Sequence, residues 1–297
     1  MRVSVTGATG FIGSAVVKEL LDAGHHVIGL ARSDKAAASL TAVGAAARRG
    51  SLADLDSLRG GAAAADGVVH TAYIHDFSPT GNPAAAAQTD GRAIEAIGTA
   101  LAGTGKPLVV ASGIVPVPGR ASTEEDAAPE NPHFPRVSEP TALALAGRGV
   151  RVSVVRLPPS VHGEGDHAFV PALIGIARAK GLAAYVDDGA SRWSAVHRLD
   201  AARLFRLAME AAPAGTRLNA VGEEGVPFRD IAEVIGRHLN VPVKSLSPGE
   251  AGEHFGTFAM FASYDATASS ERTRSLLGWQ PVQPGLIEDL DAGHYFS

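Results

Sequence analysis

The sequence predicts an α/β protein, a doubly wound parallel sheet with a smaller C-terminal lobe. Three observations predict it. Short Val/Leu/Ile-rich runs at residues 3–5, 27–30, 68–71, 108–111 and 152–156 are apolar at consecutive positions, as strands buried on both faces are. Helical patterns over 11–23, 34–43, 54–60, 84–102 and 137–148 separate those runs, and repeated β-α-β alternation calls for parallel strands with helices on both faces. A glycine-rich turn joins the first strand to the first helix.

Taken in order, the first strand runs through Val3-Ser4-Val5 into that turn, and the helix after it closes at Gly24, a C′ position. The second strand ends at Arg32-Ser33 and the run at 68–71 leads to Thr71-Ala72; the run at 108–111 leads into Ser112. Beyond residue 156 the alternation loosens. Helices are expected near 168–180, 200–212, 227–239 and 269–277, with a strand at 217–221. Stretches rich in Pro and acids at 113–135 and 242–250 read as loops, the first long enough to cover a site. We expect a dinucleotide-binding domain over 1–156 and a mainly substrate-binding lobe over 157–297, with segments around 190–221 returning to the sheet.

Composition narrows the function. The chain has 297 residues, 45% of them hydrophobic, and a mean hydropathy of +0.09. A length like this lets about 75% of the unfolded surface be buried. A formal charge of −5 gives no electrostatic reason for a nucleic-acid or membrane partner. The absence of cysteine removes disulfides, thiolate metal sites and thiol nucleophiles. The sequence opens directly on a strand pattern with no apolar leader core, and a soluble, cytoplasmic protein is the expectation.

The turn reads Thr6-Gly7-Ala8-Thr9-Gly10-Phe11-Ile12-Gly13. Gly7 permits a tight turn, Gly10 lets backbone approach a diphosphate, and Gly13 lets the helix pack closely on the strand. The amides around Thr9, Gly10, Phe11 and Ile12 then face the diphosphate at the positive end of the helix. This is a Rossmann-type cofactor turn. At the end of the second strand an acid would favour the ribose hydroxyls of NAD, and an Arg a 2′-phosphate. Arg32 and Ser33 stand there, so NADP is the expected cofactor; nearby Asp34 keeps NAD as the alternative.

With these residues in view, the chain resembles the short-chain dehydrogenases/reductases of the extended, NAD(P)-dependent epimerase/dehydratase-like branch, over nearly its whole length. The glycine motif carries the resemblance, together with Gly50-Ser51-Leu52-Ala53-Asp54, Val69-His70-Thr71-Ala72, Arg156-Leu157-Pro158-Pro159-Ser160, Val196-His197-Arg198-Leu199-Asp200 and Leu277-Gly278-Trp279-Gln280-Pro281. It implies that Leu52 lies by the adenine, Thr71 and Ala72 by the ribose, and Pro158 and Ser160 by the nicotinamide. It also implies a homodimer formed through the helices at 84–102 and 137–148, which are Ala-rich here. One departure stands out. The family's catalytic YxxxK pair is missing: none of Tyr73, Tyr185, Tyr264 and Tyr295 has a Lys four residues on, and the equivalent stretch reads Pro135-Arg136-Val137-Ser138-Glu139. The chain is thus similar to the atypical members.

Candidate chemistry must come from elsewhere. Ser112 occupies the place of the family's catalytic Ser, where a hydroxyl polarises a substrate oxygen. Tyr73 and His75 are candidate proton donors, and His75 is followed by Asp76. Glu139 either contacts a ribose hydroxyl or merely opens a helix. His162 and His167 flank a loop, with no ligand spacing that implies a metal; His197 reads as structural. Phe255, Phe258, Met260 and Phe261 form core or line an apolar pocket. The expected function is an NADP-dependent oxidoreductase transferring hydride to or from a small carbonyl or hydroxyl substrate. A catalytically silent cofactor-binding sensor is the alternative, and a sugar-nucleotide epimerase or dehydratase a third.

Overall fold

The computed structural model describes residues 1–75, 81–128 and 136–297. Asp76 and the Pro129, Pro132 and Pro135 part of the long loop lie outside them. In the first half the elements alternate: β1 (Arg2–Thr6), α1 (Phe11–Asp22), β2 (His26–Ala31), α2 (Asp34–Ala42), β3 (Ala46–Arg49), α3 (Leu55–Ala63), β4 (Gly67–His70), α4 (Pro83–Leu101), β5 (Pro107–Gly113), α5 (Ser138–Ala144) and β6 (Arg151–Leu157). Then come β7 (Ser160–His162), α6 (Phe169–Lys180), β8 (Ala183–Val186), β9 (Arg192–His197), α7 (Arg198–Ala211), β10 (Thr216–Asn219), β11 (Glu223–Pro227) and α8 (Phe228–Leu239). The chain finishes with β12 (Val243–Leu246), α9 (Pro248–Phe255), α10 (Ala259–Ala262), α11 (Glu271–Leu277) and α12 (Leu286–Asp291).

Seven strands form the main sheet in the order β10-β6-β5-β4-β1-β2-β3, all parallel. The order reverses between β1 and β4, and a crevice opens there at the carboxyl ends of the strands. Val3, Val5, Val16, Leu20, Leu204 and Phe205 fill the layer between the sheet, α1 and α7, while Leu108, Val110, Ile94, Ile97 and Leu145 fill the opposite layer. Within the chain, Gly91 and Gly98 on α4 let α5 and its following turn come close: a side chain at either would meet Val137 or Leu145. A second core gathers Trp193, Phe228, Ile231 and Phe255 under the small sheet β11-β9-β7 and the pair β12-β8. Among the described residues no helix is long and apolar enough to cross a membrane.

Several expectations change. β3 reads Ala-Ala-Arg-Arg and has no apolar pattern, because it is the sheet's edge strand and only its backbone needs pairing. The strand expected at 217–221 is β10, beside β6, whereas β9 pairs in the smaller sheet. The stretch at 242–250 is not a loop: β12 pairs with β8, and Ser247 and Glu250 form a capping box, with Pro248 in the first turn of α9. The expected helix over 137–148 is α-helical only to Ala144 and tightens to a 3₁₀ turn over Leu145–Arg148. The described part of the long loop is pinned down. The Glu124 carboxylate accepts from the Thr273 amide and hydroxyl at 2.9 and 2.6 Å, and Ser122 bonds to the backbone of Thr267 and Ser269.

Candidate functional site

The site grows from the turn between β1 and α1. Gly7 has φ +68°, and a Cβ there would lie 2.7 Å from the Ala72 nitrogen; at Gly13 it would overlap the Gly7 carbonyl oxygen. The turn, the helix start and the end of β4 are therefore as close as backbone permits. Gly10 is the N-cap of α1 and no side chain caps it, so the first amides remain available to an anion. Thr9 and Gly10 are exposed at the turn, and Phe11 and Ile12 are half-buried. Thr71 donates its hydroxyl to the Thr6 carbonyl at 2.8 Å, so it shapes the cradle through backbone rather than offering a free hydroxyl.

At the far end of the crevice, β2 and β3 pair with Ala31 opposite Arg49. Two cations, Arg32 and Arg49, thus lie at neighbouring strand ends, with Asp34 3.2 Å from Arg49. Ser33 caps α2, accepting from the Ala36 amide. Leu52 is half-buried just beyond β3. Arg49 escaped sequence reasoning because β3 did. On the opposite side Pro158 and Ser160 are buried, and Ser160 Oγ has no hydrogen-bond partner among the described residues. A buried orphan hydroxyl implies a missing polar group. The cradle and this orphan both fit a bound dinucleotide.

The catalytic candidates gather at the ends of β4 and β5. His70 pairs with Val110, so Tyr73 and Gly113 each lie three residues beyond the last matched pair, and Gly113 directly follows Ser112. The Arg136 guanidinium covers the Tyr73 ring at 4.8 Å, and the Tyr73 and His75 rings are 5.0 Å apart. Burial pushes the Tyr73 phenol above its ordinary value; Arg136 opposes this and Asp90 adds to it. The imidazole of His75 meets solvent over much of its surface. Even so, the groups crowding it withdraw enough water to hold its pKa below the ordinary value, with Arg136 and His167 pushing the same way. Across the crevice His167 contacts the Phe11 ring edge-on at 5.9 Å, and Arg198 covers the same ring at 5.1 Å.

Beneath these groups runs a buried polar chain. His70 Nε2 lies 2.9 Å from Asp90 Oδ1, His70 Nδ1 lies 2.8 Å from the Thr6 hydroxyl, and Ser138 donates to Asp90 Oδ2 at 2.6 Å. With the Nε2 proton directed to the carboxylate, Nδ1 accepts from Thr6. Strands β1 and β4 and helices α4 and α5 are thereby locked together under the crevice. Nothing in the local sequence marks Asp90 for this role.

Glu139 opens helix α5, as one of its two readings expected, and is buried there. It receives two hydrogen bonds from Arg156, at 2.7 and 2.6 Å, and one from Arg217 at 2.7 Å. His162 is also buried, 2.8 Å from Asp289, with the His197 ring edge-on at 5.3 Å. Among the described residues no three His, Asp or Glu side chains group as a metal requires. The expected aromatic cluster divides: Phe255 is core and Met260 is exposed, while Phe258 and Phe261 pack edge-on against Phe169 at 5.6 and 4.9 Å.

Comparison with known proteins agrees with this architecture. An uncharacterized protein of Schizosaccharomyces pombe is 49% identical over 298 residues, covering the whole of both chains. A 2-alkyl-3-oxoalkanoate reductase of Stenotrophomonas maltophilia is 28% identical over 323 residues, covering all of this chain and 91% of that protein. The solved structure of MoeE5 in complex with UDP-glucose and NAD is 24% identical, with a TM-score of 0.76 over 99% of this chain and 97% of that one; it shares the fold. A description of NAD dependent epimerases/dehydratases matches residues 3–220, a span that reaches from the first strand of the large sheet to its last. The chain belongs to the NAD dependent epimerase/dehydratase family.

Proposed function

We propose that the protein is an NADP-dependent oxidoreductase that reduces a small carbonyl compound, or oxidises the matching alcohol, without a Tyr/Lys pair. One observation carries the reading: the glycine cradle and the Ser112–Tyr73 pair of strand ends open onto the same crevice at the reversal of strand order. When bound, the reduced nicotinamide supplies a hydride to a carbonyl carbon. The chain's own part is to hold and protonate. The amides of Gly10 to Ile12 and the α1 dipole grip the diphosphate, and Pro158 and Ser160 wall the nicotinamide side. Ser112 donates to the carbonyl oxygen as charge develops, and Tyr73, which keeps its proton at neutral pH, delivers it to that oxygen. The 2-alkyl-3-oxoalkanoate reductase among the relatives supports this direction.

The preference for NADP rests on Arg32 and Arg49 at adjoining strand ends, where a 2′-phosphate would find two guanidinium groups. Calorimetric titration tests it. NADPH should bind at least about tenfold more tightly than NADH, and Arg32→Ala should remove most of that preference. Equal affinities would reject NADP as the cofactor, and no binding of either would reject the oxidoreductase. A silent sensor draws on Glu139, whose commitment to Arg156 and Arg217 keeps it from taking the place of the missing Lys. Tight NADPH binding without turnover across a broad carbonyl panel would favour it.

A further inference from the structure

We infer that the substrate is a small oxo acid, carrying a carboxylate as well as its carbonyl group, and that Arg136 grips that carboxylate. The inference rests on the oxidoreductase reading and deepens it. Arg136 stands where the chain enters α5, with its guanidinium across the end of the crevice. On one side it covers Tyr73 at 4.8 Å. On the other, Nη1 is 3.8 Å from the point a Cβ on Gly113 would occupy. That position has no side chain, so the planar cation comes up against the end of β5.

Neither Arg136 nor Arg198 holds a carboxylate among the described residues. Arg156 and Arg217 share Glu139, Arg148 holds Glu95 and Arg120 holds Asp126, whereas Arg136 pairs with no acid among the described residues. Among the described residues, the acids nearest the crevice are already engaged. Asp90 is taken by His70 and Ser138, and Asp166 bonds with Tyr295 and the Ala168 amide. Among the described residues a second guanidinium, Arg198, stands across the opening, with the neutral imidazole of His75 and the ring of His167 beside it. Such a rim attracts an anion, and a guanidinium fork matches a carboxylate through two parallel hydrogen bonds. Ser112 directly precedes Gly113 at the end of β5, so the hydroxyl that meets the carbonyl and the cation that meets the carboxylate belong to one strand end, and a single small molecule carrying both groups suits them. In the reduction the carbonyl carbon gains hydride from NADPH, the π pair moves onto oxygen, and that oxygen takes the Tyr73 proton, which solvent replaces. The products are a hydroxy acid and NADP.

The test compares 2-hydroxy and 3-hydroxy acids of short and medium chain length with their methyl esters, titrated by calorimetry into the NADP-loaded protein. The corresponding oxo compounds are assayed in parallel with NADPH. At least one acid should bind about tenfold or more tightly than its ester. Arg136→Gln should erase that ratio while leaving NADPH affinity unchanged, and Arg136→Lys should restore part of it. Three results would overturn the inference: esters that match their acids, no acid bound at all, or an acid preference that survives in Arg136→Gln. If neutral ketones alone are reduced, the carboxylate is wrong and the oxidoreductase stands. If NADPH itself fails to bind, the oxidoreductase reading falls and takes this inference with it.

Discussion

Tyr73 and His75 sit side by side, yet their surroundings suit them to different tasks. Loss of water at Tyr73 raises the phenol's pKa, which Arg136 only partly offsets, so the side chain remains a proton donor through neutral and mildly alkaline pH. The same loss of water lowers the pKa of His75, leaving a neutral imidazole, a weaker acid source at neutral pH. Tyr73→Phe should therefore lower kcat for carbonyl reduction by about 10²–10⁴-fold with little change in NADPH affinity. The wild-type reduction rate should hold as pH rises and decline only above the ordinary phenol value of 10.0, because the protonated form is the active one. Unchanged turnover in Tyr73→Phe would reduce the phenol to a packing group. The candidates themselves were legible as residue types just past strand ends. Their juxtaposition through Arg136 was not, since Arg136 lies more than 60 residues from Tyr73 along the chain.

At the level of elements, α5, β6 and β10 are riveted by Glu139. Arg156 gives this carboxylate two bonds and also donates to the carbonyls of Thr123 and Asp126, so the same guanidinium holds the strap that follows β5. Removing one member of a buried pair leaves the other charged and unpaired, at a cost of about 3–5 kcal/mol. Glu139→Gln should show a loss of that size in urea unfolding while keeping NADPH affinity in the folded fraction; a neutral effect on stability would contradict the pairing. Position 139 was visible in sequence as a departure from YxxxK, but its partners, 17 and 78 residues away, were not. The capping box at Ser247 and Glu250 shows the converse. Its signal was local and fully present, and the prolines around it led to a loop assignment instead.

Across the whole molecule, late segments bind back onto earlier ones. Trp279 donates to the Asp200 carbonyl at 3.0 Å, and the Asp200 carboxylate accepts from the amides of Val282 and Gln283. Two motifs 79 residues apart thus form one contact. Tyr295 accepts from the Gly163 amide at 2.9 Å, and α12 brings Asp289 to His162. Burial pushes the Asp289 carboxyl up, but the hydrogen bond from His162 and the charges of His162, His294 and His197 outweigh it, so its pKa is lowered in the folded protein. A lowered carboxylate pKa stabilises the fold fully above the unfolded value, and the contribution is lost as pH falls through the folded value. Asp289→Asn should cost about 1–3 kcal/mol at neutral pH, and the gap to wild type should close in acid, below the ordinary carboxylate value of 3.8. Urea unfolding across that range checks the sign; a gap that widened in acid would mean that the pair does not stabilise the fold.

What the sequence determined by itself is whatever depends on near neighbours. The glycine turn follows from steric room at Gly7, Gly10 and Gly13, and the parallel sheet from apolar runs alternating with helical patterns. Tertiary structure alone decided the contacts whose partners come from distant elements: the Thr6–His70–Asp90–Ser138 chain, the Glu139 ion pairs, the second cation at Arg49 and the open guanidinium of Arg136. The physical reason is range. Backbone sterics and hydrophobic periodicity act over a few residues, whereas a buried charge or hydrogen bond takes its meaning from whichever group the fold sets opposite it.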